Sequence, residues 1–271
     1  VTDINDISYV ECASIHGVLF DIDDTFTFSG KLIPEAFSAL WELHKHGLIL
    51  VPITGRPAGW CDHIARMWPV DAVIGENGAF YYYYDEKTRK LQQRYIFSPE
   101  NITLKRKELE AIQHEILQRV PRAQIASDQA FRLFDLAIDY TEDISPLTEQ
   151  ELEEICKIFA DHQATYKVSS IHVNGWFGEY TKLTTTRLFL EERYSIGWDE
   201  AMQTFLFIGD SPNDDPMFQA LSLTVGVANI QGFADRIKHL PKYVTNSKGG
   251  LGFAETAHII LKHKYGKGEN P

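Results

Sequence analysis

Apolar runs about as long as one strand alternate along this chain with stretches whose apolar positions recur every three to four residues. "GVLFDI" (17–22) predicts a strand and "PEAFSALWELHKHG" (34–47) the helix after it. Pro34 suits a first helical position there and Gly47 the stop. Phe37, Leu40, Trp41 and His44 repeat at helical spacing, which predicts that this face packs on a sheet. Strands follow at "LILVPI" (48–53) and "DAVIG" (71–75), with the helix "GWCDHIARMW" between them. Near the other end "TFLFIG" (204–209), "LTVGV" (223–227) and "KYVT" (242–245) continue the theme. Strands this apolar, separated by helices, predict a parallel sheet covered on both faces.

The middle has a different texture. "AFYYYYDEKTRKLQQRYIF" reads as a hairpin with a polar turn around Asp85 to Lys90. A charged helix (about 104–119), the strand "LAIDYT", a second helix (about 148–162) and the strands "TYKVSS" and "IHVNGWF" follow. A β/α pattern interrupted by an antiparallel α+β segment predicts an α/β protein. Its Rossmann-like, doubly wound parallel-sheet core would comprise residues 1–97 and 179–271, with an α+β cap inserted at 98–178. The tail "KYGKGENP" is expected to fray.

Composition narrows the function. The 44% hydrophobic and 24% charged content of the 271 residues is enough for a real core. The formal net charge of -12 argues against nucleic acid as a partner, because that affinity rests on neutralising phosphates with Lys and Arg. Cys12, Cys61 and Cys156 are scattered, with no metal-ligand or disulfide spacing. "VTDINDISYVECASIH" lacks a cationic start followed by an apolar run, and no run approaches the ~18 residues of a membrane span. The expectation is a cytoplasmic protein with no membrane partner; oligomeric state is not legible.

The candidate chemistry sits at strand ends. In "DIDDT", Asp21 and Asp23 follow the first strand, and alternation would aim both at one place, where open α/β sheets bind ligands. Two adjacent carboxylates are unfavourable unless a proton or a cation lies between them. A local turn satisfied by Asp and Thr side chains is the plain alternative. "PITGRP" puts Thr54, Gly55 and Arg56 after the second strand, where a hydroxyl and backbone N–H groups can hold a phosphoryl oxygen; Thr54 as a helix N-cap is the alternative there. "FIGDSPNDDPMF" follows a third strand with Asp210, Asn213, Asp214 and Asp215, hard oxygen ligands suited to Mg²⁺; helix capping would account for Asp215. Lys182 opens the helix "KLTTTRLFLEERY" just after the cap.

Taken in order, "DIDDT", "ITGRP", Lys182 and "GDSPND" resemble the four motifs of the haloacid dehalogenase superfamily of phosphotransferases. "GENGA" (75–79) and "YVTNSKGGLGFAE" are similar to segments of its Cof-like, sugar-phosphatase branch, whose cap is inserted between the second and third motifs. The likeness covers both core halves, and Asp24 and Leu183 depart from it where relatives usually show Gly. It implies a phosphoric monoester hydrolase acting on a small phosphorylated metabolite, with Asp21 as nucleophile and Asp23 as acid-base. It further implies Mg²⁺ held by Asp21, the Asp23 carbonyl and Asp210 with support from Asp214, and Thr54, Gly55 and Lys182 on the phosphoryl oxygens. Lys167 is the upstream alternative to Lys182. Asn77, Arg56, His172, Asn174 and Trp176 are candidate substrate contacts, Trp176 equally a hinge residue. A phosphomutase shares the core motifs. A phosphorelay receiver gathers similar groups but is much shorter, and a non-catalytic sensor would not need the Asp21/Asp23 pair.

Overall fold

The computed structural model describes residues 1–266. The chain begins with β1 (Thr2–Asp3), α1 (Tyr9–Ser14), β2 (Gly17–Phe20), α2 (Pro34–Lys45), β3 (Ile49–Pro52), α3 (Ala58–Met67) and β4 (Val73–Gly75). The hairpin β5 (Phe80–Asp85) and β6 (Lys90–Tyr95) leads to α4 (Pro99–Arg119), β7 (Gln124–Ile125), β8 (Asp135–Asp139), α5 (Glu149–Asp161), β9 (Thr165–Val168) and β10 (His172–Trp176). The chain returns through α6 (Lys182–Tyr194), α7 (Trp198–Thr204), β11 (Phe205–Gly209), α8 (Asp215–Ala220), β12 (Leu223–Gly226), β13 (Tyr243–Val244) and α9 (Gly249–Tyr265). Of the tail expected to fray, Lys264 and Tyr265 belong to α9, and 267–271 lie outside the described residues.

The central sheet runs β1-β13-β12-β11-β2-β3, every pair parallel. Alternation along its strands builds two cores. Val18, Phe20, Leu50, Leu206 and Ile208 face α1, α2 and α9, while Leu19, Val51, Phe205 and Phe207 face α6, α7 and α8. β4 extends this sheet only by a single parallel bridge, Ile53 to Ile74, and pairs antiparallel with the β5–β6 hairpin. Residues 99–176 supply a second, antiparallel sheet, β7-β8-β10-β9, packed on α4 and α5 through Ile112, Ile116, Ile155 and Phe159.

One helix face departs from its predicted reading. On α2 the buried positions are Ala36, Ala39, Leu40 and Leu43; Phe37 is half-buried, and Trp41 and His44 are exposed, edge to face at 5.6 Å. The small Ala36 and Ala39 let α2 approach α9 closely, and bulky rings on that face would hold it off. No described helix is long and apolar enough to cross a membrane.

Candidate active site

The sheet order reverses at β2, which has β3 on one side and β11 on the other. The crevice beyond the carboxyl ends of strands at such a reversal is where open α/β sheets take ligands. Phe20 pairs with Ile208, and the Asp21 N–H donates to the Ile208 carbonyl at 2.9 Å, so Asp21 and Asp210 leave the sheet as neighbours. Asp21, Asp210 and Asp214 are buried, and each offers a carboxylate oxygen within 4.8 Å of the others. Lys182, also buried, donates from Nζ to Asp21 Oδ1 and to Asp214 Oδ1, both at 2.7 Å. It is Lys182, not Lys167 on β9, that reaches Asp21. Gly78 makes this possible. Its φ is +112°, and a Cβ there would lie 2.2 Å from the Thr181 carbonyl, so glycine lets the 76–78 turn press against the start of α6.

Neighbouring groups fix the remaining oxygens. Thr25 Oγ1 donates to Asp210 Oδ1 and Asn229 Nδ2 to Asp210 Oδ2, each at 3.1 Å. Asp214 Oδ2 accepts the N–H groups of Asp210 and Ser211 at 3.1 and 3.4 Å. Burial raises the Asp21 carboxyl to about 8; Lys182 opposes the rise, and Asp214 and Asp23 add to it. Burial above all, then Asp21 and Asp214, pushes Asp210 well up. Burial alone would lower Lys182, but Asp21 and Asp214 outweigh it and hold its ammonium charged. Three buried carboxyl groups beside one ammonium gather hard oxygen donors, a set that fits a divalent cation such as Mg²⁺, whose charge would favour their ionised form.

Asp23 does not join this cluster. Strand alternation stops at Phe20, and the following turn, with Asp24 at φ 55°, presents the Asp23 carboxylate to Arg56 instead. Arg56 Nε lies 2.9 and 3.0 Å from its two oxygens, and Nη2 lies 2.8 Å from Oδ1. The same guanidinium donates to Glu142 at 2.6 Å and lies 3.4 Å from Asp128. His172 Nε2 lies 2.9 Å from Glu142. Burial would raise the Glu142 carboxyl, but His172 and Arg56 outweigh it and hold it at about 2.

Behind Arg56 a buried network ties the two sheets together. Arg132 grips Asp128 and Asp135, and its Nη1 donates to the Gly55 carbonyl at 2.8 Å. Glu76, wholly buried, accepts backbone N–H groups from Ala58, Leu133, Phe134 and Asp135 at 2.6 to 3.2 Å. Thr54 is buried and its Oγ1 accepts the Arg56 N–H at 3.0 Å; Pro57, not Thr54, stands at the N-cap of α3. The Asn77 amide lies against Gly55, 3.3 Å from where a Cβ would stand. Asn174 donates to Asp135 at 2.8 Å. Trp176 is buried and stacks on Tyr180 with ring centres 5.5 Å apart, and with Asn77 and Lys182 it lines a small cavity. Asp215 is the first residue of α8, whose N-cap is Asp214, and its side chain accepts from the His239 N–H at 2.8 Å. The Tyr81–Tyr84 run alternates within β5 as packing, Tyr82 against Phe80 and Tyr95.

With this geometry in view, residues 18–119 match a family model described as haloacid dehalogenase-like hydrolase. The match covers β2 from Val18 on, the turn that carries Asp21 and Asp23, and the 54–56 segment. The same fold recurs in a Thermoplasma acidophilum protein, 21% identical over 92% of this chain and 98% of that one, with a TM-score of 0.68. A phosphatase of the haloalkanoate superfamily from Bacteroides thetaiotaomicron is 18% identical over 92% and 95%, TM-score 0.59. A sugar phosphatase of subclass IIB of the superfamily is 14% identical over 92% and 98%, TM-score 0.59. Among curated proteins no match is found.

Around this site, sequence reasoning missed Thr25, Asn229, Glu142 and Arg132. Asn229 stands just past β12 on the ligand-binding edge of the sheet, a position that extending the strand-end argument to a further strand would have found. Glu142 and Arg132 reach Arg56 and Gly55 from the antiparallel-sheet segment, where no local pattern announces a partner.

Proposed function

We propose that the protein is a Mg²⁺-dependent phosphatase that hydrolyses a small phosphorylated metabolite, of the sugar-phosphate class, through an aspartyl-phosphate. The observation that carries this reading is Asp21 at the reversal point of the sheet, beside Asp210 and Asp214 and bonded to Lys182. Asp21, Asp210, Asp214 and the Asp23 carbonyl would hold the metal, which supplies positive charge to the transferring phosphoryl group.

An Asp21 carboxylate oxygen attacks phosphorus and the P–O bond to the alcohol breaks; Asp23 gives its proton to the departing oxygen. Asp23 then takes a proton from water as that water attacks the aspartyl-phosphate, which releases inorganic phosphate and restores Asp21. Lys182, Thr54 and the Gly55 N–H stabilise charge on the phosphoryl oxygens. Arg56 orients Asp23 at the wall between the buried carboxylates and the open cavity beyond. Residues 98–178 act as the cap that selects the alcohol half of the substrate.

The test is phosphate release from a panel of phosphorylated metabolites, with and without Mg²⁺, for the wild type and Asp21→Asn. The expected result is Mg²⁺-dependent release that Asp21→Asn lowers by about 10³-fold or more. Release that survives in Asp21→Asn overturns the reading.

A further inference from the structure

The space for a leaving group lies beyond Asp23 and Arg56. A cavity of about 650 Å³ opens there between α3 and the cap, and one of about 340 Å³ adjoins it, sharing Asp23, Thr27, Arg56 and Glu142 as walls. The charged lining is lopsided. Asp23, Asp24, Asp128, Glu142 and Asp143 contribute five carboxylates, against Lys31 and Arg56 on the wall and Arg132, which holds Asp128 from behind; the balance stays negative. Arg56 is already engaged by Asp23, Glu142 and Asp128.

The cap carboxylates are also fixed in place. Buried Asp139 accepts the N–H groups of Thr141, Glu142 and Asp143, each at 2.8 Å, so the turn that carries Glu142 and Asp143 is held rigidly. Ser127 Oγ donates to Asp143 at 2.7 Å. Charge held this way cannot swing aside for an incoming anion, and repulsion of the wrong ligand is an effective source of specificity. Trp60, over whose ring the Arg56 guanidinium lies 4.4 Å from the centroid, and Trp68 complete the wall with apolar surface.

We propose that this cavity selects phosphate esters by the charge of the alcohol half, admitting neutral polyhydroxylated groups, favouring those that bear an ammonium, and rejecting those that carry a second anion. The inference rests on the phosphatase reading above and names its substrate class. It also separates that reading from a phosphomutase, which must lodge the second phosphate of a bisphosphate in this acid-lined space.

Three esters of one pyranose ring provide the test: glucosamine 6-phosphate, glucose 6-phosphate and glucose 1,6-bisphosphate, each with Mg²⁺. The kcat/KM is expected to fall in that order, by about tenfold or more from first to last. Asp143→Lys should shrink that ratio several-fold. The dissociation constants of the three esters for Asp21→Asn protein, measured with Mg²⁺ in excess, should follow the same order, independently of turnover. Hydrolysis with a flat or reversed order in both measurements overturns charge selection alone. The binding order without hydrolysis of any ester supports charge selection and sinks the phosphatase reading alone.

Discussion

Glu142 shows how much a single residue contributes to joining the antiparallel-sheet segment to Arg56 of the parallel-sheet body. Its carboxyl stands at about 2 in the fold against an ordinary 4.5. A depressed value means that the ionised form is the one the fold favours. The contribution is therefore complete above about pH 4.5 and is lost as pH falls toward 2. Chemical denaturation of the wild type and Glu142→Gln across pH 6 to 3 reads this directly: the stability gap between them should narrow on acidification, and a constant gap contradicts it. At the same scale Asp21, Asp210 and Lys182 were legible in the sequence because each directly follows a strand or opens a helix. The destination of the Asp23 carboxylate was not. It depends on where β2 stops and on Arg56, which lies 33 residues away.

Elements tell a similar story about legibility. The strands and helices of the parallel core were readable because burial on both faces leaves continuous apolar runs, as in "TFLFIG". The orientation of α2 was misread because periodicity ranks Trp41 above Ala36 and Ala39, whereas the groove beside α9 rewards small residues. The join between α3, the 76–78 turn and the segment before β8 escaped pattern reading altogether. It is made by Glu76 accepting four N–H groups from two distant stretches of backbone. Glu76→Ala leaves those buried donors unmatched, with an expected loss of about 3 kcal/mol. Its denaturation midpoint against the wild type measures this; a change under about 0.5 kcal/mol would show that water replaces the carboxylate without cost.

For the molecule as a whole, the proposed metal role predicts that the buried carboxylate cluster links stability to divalent cation. Three acids from segments up to 193 residues apart meet only in the folded chain, so a cation bound there binds the native state alone. At 100 times its dissociation constant Mg²⁺ should add about 2.7 kcal/mol. For a chain of this size that corresponds to a rise in Tm of about 5–10 °C. Thermal melts with Mg²⁺ and with EDTA should show the rise in the wild type and its loss in Asp210→Asn. An equal rise in both proteins would place the metal elsewhere.

Arg132 has one more implication, for how the protein comes apart. Its guanidinium belongs to the inserted segment, yet one of its hydrogen bonds ends on the Gly55 carbonyl of the parallel-sheet body. Detaching the insert would break that bond together with the Arg56 pairs to Asp128 and Glu142 and the three N–H bonds that Leu133, Phe134 and Asp135 give to Glu76. Partial unfolding is therefore penalised at the seam, and the two sheets should denature in one cooperative step.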